Sequence, residues 1–142
     1  MSLAQTPVAE EAIMKLLENL PNVENIFVDF GKTVITDKSL NFFSRSSLQT
    51  LTNLKQLELR LYETRVQDLA IRDLFLNLPE LKSLILDFQG TSITDQSLSY
   101  LLESNPQLLK SLKHFEIDLK ATKVSPGILT KIDRMTSLIN NL

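Results

Sequence analysis

At 142 residues the chain has about the length of one domain, and 43% hydrophobic residues with only three glycines is the composition of a chain that can bury a core. It has no cysteine, one histidine and a net charge of −2, which excludes a disulfide framework and a thiol nucleophile and leaves no basic footprint for nucleic acid. No window approaches the roughly 18 apolar residues of a membrane span, and the start, MSLAQTPVAEEA, lacks the basic and apolar parts of a secretory leader, so a soluble cytoplasmic protein without membrane insertion is expected.

In chain order, Thr6 and Pro7 read as the cap and first position of a helix over about 7–19. Glu10 and Glu11 fall in its first turns, where the helix dipole favours acids. From Leu20 the chain repeats itself. The stretches LPNVENIFVDFGKTVITD, LTNLKQLELRLYETRVQD, LPELKSLILDFQGTSITD and LKSLKHFEIDLKATKVSP open near 20, 51, 78 and 109. Repeats of this size mean a stack in which each unit buries its apolar face against the next.

Within each unit an apolar set alternates with polar residues, at strand spacing: Ile26, Val28 and Phe30, then Leu57, Leu59 and Leu61, then Leu84, Leu86 and Phe88, then Phe115, Ile117 and Leu119. Thr33, Thr64, Thr91 and Thr122 follow at one fixed position. The apolar spacing then turns helical, as in Leu40, Phe43, Leu48 and Leu51. Helical returns oblige successive strands to pair in parallel. The first and third units are four residues longer than the second, about one helical turn, and should carry the longer helices. Ser125 and Pro126 start a last helix over about 126–137. The closing MTSLINNL reads as the approach to a further strand, in a chain that ends there or continues.

The pattern LxxLxxLxLxLxxTxI resembles the leucine-rich repeat, in its helix-bearing, ribonuclease-inhibitor-like branch. The resemblance covers about residues 20–129 and implies an α/β solenoid of about four right-handed strand-helix coils over 1–142, with a parallel sheet on the concave face and helices on the convex face. Threonine stands where the family carries asparagine or cysteine, the residue that ties successive turns together. A hydroxyl ladder along Thr33, Thr64, Thr91 and Thr122 is the corresponding expectation. The absence of disulfide caps fits an intracellular member.

No catalytic set, cofactor motif or metal-ligand spacing accompanies this pattern. His114 neighbours Ser83 and Glu116, but no strained nucleophile turn goes with them. Asp37, Asp68 and Asp95 read as first-turn helix residues. The expectation is a non-enzymatic interaction module or adaptor, with a structural subunit of a large assembly, or a fragment of a longer repeat protein, as the alternatives. Its partner would be a protein, with basic segments. Strand residues between the inward leucines point to the concave face: Phe27, Asp29, Glu58, Arg60, Tyr62, Ile85, Asp87, Glu116 and Asp118 are the candidate binding residues. Among its strand positions acids outnumber bases by five to two, and Arg60 is expected between Asp29 and Asp87. Phe27 and Ile85, with Tyr62 near them, are apolar residues where charge is the rule. The outermost strands would be covered by terminal loops or side chains, or would meet a partner or a second copy end to end.

Overall fold

The computed structural model describes Lys15 and residues 22–141. Apart from Lys15, the helix expected over 7–19 lies outside those residues, as does Leu20.

Strands β1 (Asn25–Asp29), β2 (Gln56–Arg60), β3 (Ser83–Asp87) and β4 (His114–Asp118) form one parallel sheet in sequence order. The register runs repeat to repeat: Ile26 lies opposite Leu57, Leu57 opposite Leu84, and Leu84 opposite Phe115. Each strand starts one residue before the alternating apolar set and stops one before its end. Phe30, Leu61, Phe88 and Leu119 therefore sit just past the strands, the first three fully buried.

Helices fill the connections, α1 (Asp37–Phe42), α2 (Leu48–Thr50), α3 (Asp68–Asn77), α4 (Asp95–Ser104) and α5 (Pro106–Ser111), and α6 (Pro126–Asn140) follows β4. The two long units spend their extra turn differently. In the first, α1 and α2 are joined by a π-helical turn, Phe43–Ser47, into one helical run. The buried Ser44 hydroxyl donates to the Leu40 carbonyl at 2.9 Å within it. In the third, the helix breaks at Asn105, because Pro106 lacks an N–H and disfavours helical geometry in the residue before it. Asn105 then caps α5, accepting from the Leu108 N–H at 3.1 Å and donating to the Phe75 carbonyl of the preceding repeat at 3.0 Å.

The core lies between the sheet and the helices. Leu57, Leu59, Leu84, Leu86 and Phe115 are at most 1% exposed, and the Phe75 and Phe88 rings meet edge to face at 6.3 Å. Each such side chain contributes about 1.5–3 kcal/mol of transfer free energy on burial.

Two expectations are corrected. The threonine hydroxyls do not bridge repeats. Thr33, Thr64, Thr91 and Thr122 each donate to the carbonyl three residues back, of Phe30, Leu61, Phe88 and Leu119, at 2.6, 2.6, 2.8 and 2.7 Å. They close a turn whose preceding residue is left-handed in every unit, with φ of 57° at Lys32, 53° at Glu63, 69° at Gly90 and 55° at Ala121. The amides of Lys32, Glu63 and Gly90 donate to the next repeat, to the carbonyls of Tyr62, Gln89 and Lys120, at 2.8–2.9 Å. At this corner the tie between repeats is therefore main chain to main chain. The second correction is at the end of the chain. The segment read as the approach to a strand is helical as far as Asn140, so α6 does not stop at 137.

The aspartate row does more than lie in first turns. Asp37 Oδ1 accepts from the Gln67 N–H at 2.8 Å. Asp68 accepts from the Thr94 N–H at 2.8 Å and its hydroxyl at 2.6 Å, and from the Ser97 hydroxyl. Asp95 accepts from the Ser125 N–H and hydroxyl, each at 2.7 Å. Gln67, Thr94 and Ser125 are the residues that precede α3, α4 and α6. Each helix start is thus held by the aspartate one repeat earlier.

Candidate functional site

The sheet face turned away from the helices carries the candidate residues in rows fixed by the strand register. Phe27, Glu58, Ile85 and Glu116 form one row, and Asp29, Arg60, Asp87 and Asp118 the next. Asn25, Gln56, Ser83 and His114 lie on the other side of the first row. Parallel strands space such neighbours about 4.8 Å apart, so each row is a short ladder of side chains available to one ligand surface.

Arg60 has Asp29 and Asp87 as its Cα neighbours, as the register requires, but its guanidinium turns elsewhere. It donates through Nε and a terminal nitrogen to Glu58 Oε1, at 3.0 and 2.7 Å. Its Cζ stands 5.2 Å from the centroid of the Phe27 ring. The hydrogen bond to Glu58 raises its pKa above the ordinary arginine value. A guanidinium that reaches both a carboxylate and an aromatic face gains from each, whereas Asp29 and Asp87 have backbone donors of their own. Asp29 accepts from the Gly31 N–H at 2.8 Å, Asp87 from Gln89 at 3.0 Å and Asp118 from Lys120 at 2.9 Å. Three of the five face acids therefore shape the strand exits as well as charging the surface.

Two further polar contacts run along a single strand and its exit. His114 Nε2 stands 2.9 Å from Glu116 Oε1, and Lys120 Nζ 3.7 Å from Asp118 Oδ2. Exposed pairs of this kind are each worth about 0–1 kcal/mol. Ser83 lies opposite His114 in the register.

Phe27 is 41% exposed, while Ile85 is half-buried. A hollow of about 210 Å³ runs between them over Glu58. Tyr62 lies across the sheet with its ring over Gly31; a β-carbon there would fall 2.0 Å from the tyrosine Cε1. The face thus presents one aromatic ring with a guanidinium stacked on it, a second ring, a partly covered isoleucine, and acids around them. No group of three or more potential metal ligands occurs among the described residues, and no helix among them is long and apolar enough to cross a membrane.

The helical side carries a feature that the strand pattern does not reveal. Asp73 of α3 is buried and accepts from Arg45 at 2.6 Å and from Arg72 at 3.3 Å, and Arg72 stacks over Tyr100 at 5.4 Å. Around it Leu69 is 64% and Leu76 48% exposed. The one available sequence signal was an acid at an inward-facing helical position beside an arginine.

No family model matches the chain and no curated protein matches it. Among solved structures it is similar to a chain described as leiomodin-1 actin-binding site 2, with 15% identity over 96% of this chain and 75% of that one, and a TM-score of 0.64. That likeness extends to the fold, a parallel sheet whose strands alternate with helices, consistent with a leucine-rich-repeat-like arrangement.

Proposed function

We propose that the chain is a non-catalytic, cytoplasmic protein-interaction module of the leucine-rich-repeat type. Its helix-free sheet face, concave on this reading, grips a partner segment that carries basic residues around an apolar contact. The observation that carries the proposal is Phe27: a large ring exposed among charges, backed by Arg60, on a face where acids outnumber bases. Aromatic residues with a charged rim are the usual anchors of protein interfaces. The similarity to a chain named as an actin-binding site supports a protein as the partner class and makes actin the first partner to test.

The test is Phe27→Ser. Binding to actin by co-sedimentation, and capture of partners by cross-linking in the native source, should fall, while the melting temperature stays within a degree or two of the parent. Unchanged capture with intact stability removes this face from the proposal.

A second reading, a structural subunit of a larger assembly, is favoured by Leu69 and Leu76 exposed on the helical side. Leu69→Ser would then abolish incorporation into the assembly, and Phe27→Ser would not.

A further inference from the structure

Among the described residues β4 is the outermost strand of the sheet on its side, and its outer edge has a definite hydrogen-bonding pattern. The Asn140 side chain at the end of α6 accepts from the Phe115 N–H at 2.8 Å and donates to the Phe115 carbonyl at 2.9 Å. Asn140 thus fills, with one amide, the place that a neighbouring strand would take. Successive residues of a strand direct their main-chain groups to opposite sides. Ile117 and Leu119 therefore face the same outer side as Phe115, just as the amide of Phe88, the counterpart of Leu119, faces β4 and donates to Asp118.

Beyond Phe115 the edge opens into a cleft of about 810 Å³ that wraps around it. On the core side it is floored by Ile117, Leu119 and Leu129, each only partly buried, whereas their counterparts in the middle of the stack are sealed. On the helix-free side Asp87, Glu116 and Asp118 line it together with Arg60, which is held by Glu58, and Lys120, whose Nζ stands 3.7 Å from Asp118; Asp133 of α6 adds an acid on the helix side. The cleft has an apolar floor on the core side and a charged rim on the helix-free side, in which three acids stand against two bases.

We propose that this edge takes up an extended peptide segment of a partner protein, in which apolar residues alternate with lysine or arginine, as an added strand. Alternation is required because a strand sends successive side chains to opposite faces. One set would close over Ile117, Leu119 and Leu129, and the other would meet Glu116 and Asp118. Main-chain bonds to Ile117 and Leu119 supply affinity, and the floor and rim of the cleft supply selectivity. Asn140 sets the register, because it blocks pairing at Phe115.

The edge reading does not depend on Phe27, which lies on β1 at the opposite side of the sheet. The test uses arrays of short peptides alternating valine, isoleucine or leucine with lysine or arginine, against matched arrays carrying glutamate in place of the basic residues. Binding is read together with amide hydrogen exchange of the full chain. Members of the basic array should bind, protect the Ile117 and Leu119 amides, and leave glutamate peptides unbound. N-methylation of the peptide amides that face β4 should weaken binding about tenfold or more, since it removes main-chain bonds and changes no side chain. Asp118→Asn, which keeps the acceptor for the Lys120 amide, should combine with Glu116→Gln to flatten the salt dependence. Phe27→Ser should leave this binding unchanged. The proposal is overturned if no basic peptide protects those amides, or if N-methylated peptides bind as well as their parents. Protection that grows with protein concentration without peptide overturns it in favour of a second copy.

Discussion

Gly31 has no side chain in the space where the Tyr62 ring lies, and its packing, not its backbone freedom, makes the residue matter. Gly31→Ala should push the ring outward at a cost of about 1 kcal/mol, the low end for overpacking because a surface ring can move; urea unfolding together with tyrosine fluorescence would record both effects. The threonines argue similarly from a single atom. Thr64→Val removes the donor to the buried Leu61 carbonyl and should cost about 1–3 kcal/mol, while Thr64→Ser should recover most of that. The threonine column is plain in the sequence, but its acceptor is not. A hydroxyl at that position can reach its own turn or the next repeat, and the left-handed residue before it decides between them by turning its amide to the neighbour instead.

At the level of elements, the repeat-to-repeat hold on helix starts makes stability depend on acid. Burial on its own would raise the Asp68 carboxyl, but the hydroxyls of Ser97 and Thr94 and the Thr94 amide outweigh it and leave the pKa below the usual carboxylate value. The Ser125 hydroxyl and amide lower Asp95 likewise. A carboxylate whose folded pKa is depressed binds fewer protons folded than unfolded, so its stabilisation is fully present above the unfolded value of about 3.9. It is lost as pH falls through the folded value. The melting temperature should therefore hold from neutral pH to about 5 and drop below about 4. Asp68→Asn should be less stable at neutral pH and show a shallower acid limb than the parent. The sequence marks these aspartates as helix starts because their local setting says so. It cannot mark them as ties, because the partner lies a whole repeat away. The break at Asn105 was open to reading from the asparagine–proline pair, but the helical spacing of the leucines on either side conceals it.

Across the whole molecule, the parallel order and register of the four strands were legible from the repeat alone, because one apolar column per position permits one alignment. The candidate face was legible as a list of residues and less so as chemistry. Alternation placed Arg60 between two acids, yet its guanidinium is set by Glu58 and Phe27, and alternation carries no information about side-chain torsions. Stacked units also imply a gradient of stability, since each repeat is held only by its neighbours. Leu59 and Leu86 are sealed between strands on both sides, whereas Ile117 is half-buried on the last strand. Leu59→Ala and Leu86→Ala should each cost about 2–5 kcal/mol. Ile117→Ala should cost less, because β4 has already lost one wall of its packing. Native-state hydrogen exchange reads the same gradient without mutation: amides in β2 and β3 should exchange only through global unfolding, and those of β4 and α6 through a smaller opening at that end. Uniform protection along the stack would mean that the last unit is held as firmly as the middle ones, and Asn140→Ala, which removes both bonds to Phe115, would then be the variant that separates the end from the rest.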